Sequence, residues 1–294
     1  MGGADRAVDS TAGRPSAPTI DQRILGERLR SLREQSGLTL VEAAERLVWS
    51  PTRVQEMEAG MRRPSAEDLH NLGARFKLDD RTAAELAELT RKAQQQGWWA
   101  DYEDLRVPYI GLEEHASAIT AYTTHYFPAL LQTGDYARAI IAGVAPEIDP
   151  RILQQRVEAR LRRQRVLNRE NPLHYRVLLD ESVLDRPVGG PTVMQGQLDK
   201  VLALAQDAKA IVQVIPLRAG ANAALDSNFV LLDFPEPGPS AIVYVEGLVV
   251  SHYLDRKEEV DRYREAIGYL LGSALSPQDS VQHITQVRNN YGSG

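Results

Sequence analysis

Between Leu25 and Leu78 apolar residues recur three and four positions apart, in short runs separated by polar caps, the signature of several short helices. Leu40, Ala43, Ala44 and Leu47 give one run a single apolar face. Thr39 precedes that run as an N-cap, and Glu42, three residues on, completes a capping box. The pattern stops at Val48-Trp49. Ser50 is then a second N-cap, with Pro51 at the first helical position, where a missing N–H costs nothing. Val54 and Met57 turn one side of the new helix inward and leave Thr52, Arg53, Gln55 and Glu56 outward, and Gly60 closes it as a C′ glycine. The pattern predicts helices over 21–36, 40–47, 51–58, 66–76 and 81–95. The last has Ala84, Leu86 and Leu89 on one side and leads onward.

The composition changes at Gly97-Trp98-Trp99-Ala100-Asp101-Tyr102, where tandem tryptophans suit packing anchors or a ligand cage. The pattern is helical from Leu112 through Thr124, breaks over His125–Gly134 and restarts over Asp135–Ile141. Pro150–Asn168 reads as one long arginine-rich helix. Strands are predicted at Tyr175–Leu179, Val212–Ile215, Asn228–Phe234 and Ala241–Val245, the last two separated by a Pro-Glu-Pro-Gly-Pro turn. Between the first two strands fall a helical turn at Asp180–Leu184 and a helix at Gln195–Ala208, and helices at Glu258–Leu271 and Gln278–Arg288 close the chain. One helix between strands permits a parallel pair, and the later strands suit a hairpin. The expected fold class is therefore mainly α, an all-α amino-terminal bundle followed by an α+β domain. The organisation expected is a disordered tail over 1–19, poor in large apolar residues, a helical domain over 20–79, a helical linker over 80–111 and an α+β domain over 112–290.

At 294 residues, with 43% hydrophobic and 25% charged residues, the chain has the make-up of a globular protein of two domains. No apolar run reaches the length of a bilayer span and no hydrophobic signal region opens it, so a cytoplasmic location is expected. The absence of cysteine excludes disulfides and thiolate metal sites. The net charge of −6 sits awkwardly with a nucleic-acid partner, and over Asp21–Asp79 nine arginines and one lysine meet ten acidic residues. Attraction to DNA scales with the phosphates neutralised, so one copy should bind weakly and a homodimer with two reading helices is expected.

The ordered set Leu29, Arg33, Gly37-Leu38-Thr39, Ala43-Ala44, Leu47, Ser50, Val54, Glu58, Gly60 and Arg63-Pro64-Ser65 resembles the Xre/Cro/lambda-repressor helix-turn-helix family over about Leu25–Leu78. The resemblance implies a lambda-repressor-like bundle that binds double-stranded DNA. Carried over residue by residue, it implies DNA contacts from Thr39, Ser50, Thr52, Arg53, Gln55, Glu56, Arg62 and Arg63. Thr52, Arg53 and Glu56 would face base edges, and Arg62 and Arg63 would touch phosphates. Arg33 and Glu58 match positions that pair within the family's core.

Further on, Tyr126-Phe127-Pro128-Ala129-Leu130-Leu131-Gln132-Thr133, Arg160, Arg163-Gln164, Leu179–Leu184, Val188-Gly189-Gly190 and Val212–Pro216 stand in an order that resembles the effector-like domain of actinobacterial Xre regulators, the Scr-type antitoxin-like proteins. That resemblance spans roughly Gly97–Val287. It implies a DNA-binding regulator often encoded beside a small partner protein. Two functions are open: a transcriptional regulator whose second domain receives a signal, or an antitoxin-like protein that neutralises a small cognate partner and autoregulates. Trp98, Trp99, Tyr122, Tyr126, Phe127, Arg160 and Arg163 form the candidate ligand or partner pocket, an ordinary core being the other reading of the same residues.

No phosphate-binding loop, nucleophile elbow or His-Glu-x-x-His pair occurs, and the six histidines are scattered. No enzyme activity, cofactor or metal is expected. Arg151, Arg156, Arg160, Arg162, Arg163, Arg165 and Arg169 face only Glu158 and Glu170 over 151–170. That excess suits a solvated face with ion pairs, contact with DNA phosphates, or an acidic partner or anionic ligand.

Overall fold

The computed structural model describes residues 18–95, 97–102, 108–235, 240–247 and 250–292. The chain divides into two compact units, Met1–Gln94 and Gln95–Gly294. The tail expected over 1–19 lies outside the described residues except for Pro18 and Thr19, and the Pro-Glu-Pro-Gly-Pro turn does so except for Pro235.

Among the described residues the first unit holds five helices: α1 (Ile20–Gln35), α2 (Leu40–Leu47), α3 (Pro51–Glu58), α4 (Ala66–Phe76) and α5 (Asp80–Gln94). Thr19, Thr39 and Ser65 each begin a helix with a closed capping box, to Gln22, Glu42 and Asp68. Their apolar faces meet in a core of Leu25, Leu29, Ala44, Leu47, Val54, Met57, Leu72 and Leu86. Where α1 crosses the end of α3 the two backbones touch. A Cβ on Gly26 would lie 2.5 Å from the Glu58 carbonyl oxygen, and one on Gly60 2.7 Å from that of Gln22. Glycine is required at both, and Gly60 also carries a φ of +72°. The turn between α2 and α3 passes through Val48 at φ 58°, a left-handed conformation that a β-branched residue adopts at a cost.

One expectation is corrected here. The helix assigned to a linker over 80–111 is a fifth wall of the bundle. Leu86 and Ala93 of α5 enter the core, and Glu85 pairs with Arg28 of α1 at 2.7 Å. The apolar spacing that marked the helix is the face it buries.

The second unit is built on a six-stranded mixed sheet in the order β3-β2-β1-β4-β5-β6. The strands are β1 (Ala118–Thr123), β2 (His174–Asp180), β3 (Ile211–Ile215), β4 (Phe229–Asp233), β5 (Ala241–Glu246) and β6 (Ser251–Leu254). β1, β2 and β3 run parallel, and β4, β5 and β6 continue antiparallel from β1. The order follows from the connections. Helices α7 (Gly134–Val144) and α8 (Pro150–Arg163) separate β1 from β2, and α9 (Ser182–Asp185) and α10 (Pro191–Gln206) separate β2 from β3, crossovers long enough for parallel pairing. Helix α6 (Pro108–His115) precedes the sheet, and α11 (Lys257–Ser273) and α12 (Pro277–Tyr291) follow it. Tyr122, Leu178, Ile215, Phe229, Leu231 and Val243 form one core with Val260 and Leu270 of α11.

Two further expectations change. The stretch read as helical from Leu112 through Thr124 is the end of α6 followed by β1. β1 is a central strand with Ile119, Ala121 and Tyr122 all buried, so it lacks the alternation that marks a half-exposed strand. The arginine-rich helix ends at Arg163, and Gln164–Asn168 continues as a 3₁₀ turn that buries Val166 and Leu167. The short edge strand β6 was not among the strands expected. No helix among the described residues is long and apolar enough to cross a membrane.

Candidate nucleic-acid interface

Helix α3 is held from three sides, and its remaining side is open. Ser50 accepts the Arg53 backbone N–H at 3.2 Å, Pro51 opens the helix, and Val54 and Met57 are 5% and 2% exposed. From below, Glu58 is clamped by Arg33 of α1. Arg33 Nε and Nη2 donate to the two carboxylate oxygens at 2.7 and 3.0 Å, while Nη1 donates to the Leu38 carbonyl at 2.9 Å. That pairing raises the Arg33 pKa. One side chain therefore ties α1, the turn into α2 and the end of α3, setting the angle at which α3 is presented.

On the open side Thr52 and Gln55 are exposed, Glu56 is half-exposed, and Arg62 and Arg63 extend the edge into the following loop. Arg62 Nη1 donates to Glu56 Oε2 at 3.3 Å, an exposed pair that is weak in water. Thr39 is exposed beside its cap, its hydroxyl donating to Glu42 at 2.7 Å. Ser50 is exposed too, with its hydroxyl oxygen committed to the cap.

Arg53 departs from the outward orientation expected of it. Its Nη2 donates to Asp68 Oδ1 of α4 at 2.6 Å, and its guanidinium lies 4.6 Å above the Trp49 ring. Burial pushes the Asp68 carboxyl up, but the Ser65 backbone N–H, the Ser65 hydroxyl and Arg53 outweigh it and hold it below the usual aspartate range. Arg53 thus links α3 to the capping box of α4. Asp68, at the third position of a Ser-capped helix, was readable as part of a cap. Its second task, receiving Arg53, depends on the angle between α3 and α4, which local sequence does not encode.

The candidate pocket in the second unit does not assemble as one site. Tyr122 and Phe127 are 1% and 0% exposed. Tyr122 belongs to the core under α11, and Phe127 packs edge-on against Tyr136 at 5.4 Å. Trp98 is an anchor: its Nε1 donates to Glu114, Arg162 lies 4.4 Å above its ring, and Trp99 and Tyr102 meet its edges at 6.0 and 5.9 Å. Trp99 leans on Gly111, where a Cβ would come within 2.9 Å of its ring. Arg163 is bidentate to the 1% exposed Glu113, both bonds 2.8 Å, under the Tyr109 ring at 5.3 Å. Burial works against that guanidinium, and the Glu113 carboxylate more than offsets it, raising its pKa. Burial likewise pushes the phenols of Tyr109 and Tyr175 up. Of the expected set Trp98, Trp99, Tyr126, Arg160 and Arg163 are half-buried.

The Phe127–Thr133 turn is held by amides from three directions. Gln132, fully buried, donates from Nε2 to the Phe127 carbonyl, and its own carbonyl accepts Gln164 Nε2 and Lys200 Nζ, each at 2.7 Å. Gln197 bridges the Thr133 N–H and the Leu131 carbonyl, each at 2.8 Å. The arginines of α8 and the turn after it are largely committed in the same way. Arg160 binds Gln132, Arg163 binds Glu113, Arg162 stacks on Trp98, and Arg169 donates to the carbonyls of Glu114 and Ala116.

A capped, outward-facing helix set on a bundle of this kind is the reading element of a helix-turn-helix DNA-binding regulator, and a helix-turn-helix domain model matches residues 24–89. The second unit carries the larger match, over residues 108–286: the chain belongs to the family described as a domain of unknown function (DUF5753). No curated protein and no solved structure matches this chain.

Proposed function

We propose that this chain is a sequence-specific transcriptional regulator of the Xre type, which binds its operator as a homodimer and whose carboxy-terminal domain receives a signal. The observation that carries the reading is α3, buried through Val54 and Met57 and presenting Thr52, Gln55 and Glu56 on its open side. In this reading Gln55 pairs with adenine and Glu56 accepts from cytosine N4 once Arg62 turns to a phosphate. Arg62 and Arg63 fix the register on the backbone. Arg53 supports the helix and reads no base. The zero balance of charge over Asp21–Asp79 supports two copies on a two-fold operator, since one module neutralises few phosphates. The protein performs no chemistry of its own and works in the cytoplasm, beside the chromosome.

The test joins footprinting on genomic DNA to light scattering of the full chain. A protected site with two half-sites about one helical turn apart, and a dimeric mass, is the expected result. A monomeric mass with a single half-site removes the dimer. An absence of any preferred site, with Gln55→Ala binding every sequence like the parent, removes sequence-specific reading.

A further inference from the structure

One side of α8 faces an open cleft of about 620 Å³ lined by Tyr102, Glu158, Leu161, Arg162 and Arg165. Glu158, Leu161, Arg162 and Arg165 follow one another at helical spacing, so they share one side of α8 and of the 3₁₀ turn that continues it. Tyr102 closes the cleft from the turn that begins at Trp98. The volume is that of a small-molecule site, for which roughly 300–1,000 Å³ is usual. Leu161 is 40% exposed and gives the cleft apolar surface between its charged groups.

Arg162 is already oriented. Its guanidinium lies 4.4 Å above the Trp98 ring, and Tyr102 meets the edge of that ring at 5.9 Å with the two planes at 90°. Trp98 is itself tied to Glu114 through Nε1. Cation and phenol therefore stand on one indole, which sets their spacing. Stacking engages the face of a guanidinium and leaves its in-plane N–H donors for another partner. Among the described residues no hydrogen bond or ion pair takes those donors, the donors of Arg165 or the Tyr102 hydroxyl. Glu158 is exposed, and its Oε1 accepts Gln154 Nε2 at 2.8 Å. Cations at the end of a helix also answer its dipole, but that role asks only for charge near the last carbonyls and not for a guanidinium stacked beside a cleft.

We propose that this cleft binds an organic phosphate monoester, with Arg162 and Arg165 on the phosphate and Tyr102 and Leu161 against its apolar body. The planar fork of a guanidinium matches a phosphate's oxygens, and two cations without a second carboxylate suit a group whose charge approaches −2 better than a carboxylate. Because Arg162 is held by Trp98, less side-chain freedom is lost when the ligand arrives. Tyr102 adds a phenol donor and the edge of an aromatic wall, and such walls with a few convergent polar groups are the usual make-up of small-molecule sites. Glu158, of like charge to the ligand, opposes binding and favours a ligand whose phosphate lies toward Arg162 and Arg165. The proposal deepens the signal-receiving reading and depends on that reading only for its regulatory meaning.

The experiment is calorimetric titration of the full chain with phenyl phosphate, inorganic phosphate and, as a cationic control, benzylamine. Phenyl phosphate should saturate a single site, inorganic phosphate should bind more weakly, and benzylamine should not bind. Arg165→Gln, at an exposed position that leaves the fold intact, should weaken phenyl phosphate about tenfold, the scale of one lost charge-assisted hydrogen bond. Glu158→Gln should tighten it roughly two- to threefold, the scale of a screened like charge. Arg151→Gln, exposed in the first turn of the same helix and outside the cleft, should leave it unchanged. No saturation up to about 10 mM overturns the proposal. So does binding that Arg165→Gln or Glu158→Gln leaves unchanged, or equal affinity for inorganic phosphate, which removes the apolar body. A loss in Arg151→Gln as large as in Arg165→Gln marks general attraction to a basic helix and overturns it too. Operator affinity, measured with and without phenyl phosphate, separates the two readings: binding with no shift supports the site and removes its signal-receiving role.

Discussion

Replacing Arg53 by Ala separates support of the recognition helix from base reading. The wild-type side chain makes a 2.6 Å charge-assisted bond to Asp68 and covers Trp49 at 4.6 Å. Hydrogen bonds to charged groups contribute roughly 1.5–3 kcal/mol, and a guanidinium over an indole about 0.5–1 kcal/mol. Arg53 is 32% exposed against 10% for Asp68, so solvent screening lowers the total, and a loss of about 1–2 kcal/mol is expected for the amino-terminal unit. The assay is urea unfolding followed by circular dichroism, with the amino-terminal transition fitted separately because two units need not unfold together. In parallel, base preference is read from selection on a randomised operator. The variant should bind all sequences somewhat more weakly, with the shape of the preference unchanged. Because Asp68 is held below its ordinary value near 3.8, the stabilisation is fully present above that value and is lost as the pH falls through the folded value. Arg53→Ala should therefore lose less stability than the parent on acidification below about pH 4. Unaltered stability with preference relaxed at one base step would refute the reasoning and return Arg53 to the groove.

Glu58→Gln strands Arg33 at the junction of three elements and should cost about 3 kcal/mol, the low end for breaking a buried pair because Arg33 keeps 14% exposure; a thermal shift equivalent to less than about 1 kcal/mol contradicts the clamp. Val48→Gly should stabilise the first unit by roughly 0.5–1 kcal/mol in urea, since Val48 is 77% exposed and loses only its left-handed strain; destabilisation would place the strain elsewhere. Arg62→Gln with Arg63→Gln should flatten the dependence of log K on log salt by roughly two units, and an unchanged slope moves the phosphate contacts off this loop. Arg163→Met leaves the Glu113 carboxylate buried and unpaired and should destabilise the second unit by about 3 kcal/mol, most of it recovered by adding Glu113→Leu; no recovery would mean that packing, not charge, sets the cost.

Helices α2 and α3 were legible because they carry their own punctuation. Thr39 with Glu42 and Ser50 with Pro51 are local patterns, and local hydrogen bonds enforce them. The role of α5 was not legible: an amphipathic helix states that it needs a partner without naming it, and Leu86 and Ala93 found theirs within the bundle. In the second unit, β1 was hidden because burial on both faces erases alternation. β6, four residues long at an edge, pairs only because β5 is beside it. The candidate pocket failed in an instructive way. Tyr122 and Phe127 were chosen as aromatics near an irregular turn, and aromatics in such places fill core as readily as they line cavities.

The arginine excess of 151–170 carries a more general lesson about charge counted along a chain. Net charge in a window measures what is available to a partner only when the side chains share a face and end in solvent. Here four of the seven arginines leave in different directions. Arg163 crosses to Glu113 on α6, Arg162 to Trp98, Arg160 to Gln132, and Arg169 to carbonyls at the end of α6 and the start of β1. Several acceptors are neutral amides or carbonyls, which take a guanidinium's hydrogen bonds without cancelling its charge. These four are thus held by neighbours within the second unit, while Arg151 and Arg165 are exposed. Of the three uses open to that excess, pairing within the protein is the one these four side chains show, so charge counted along 151–170 says little about a polyanion as partner.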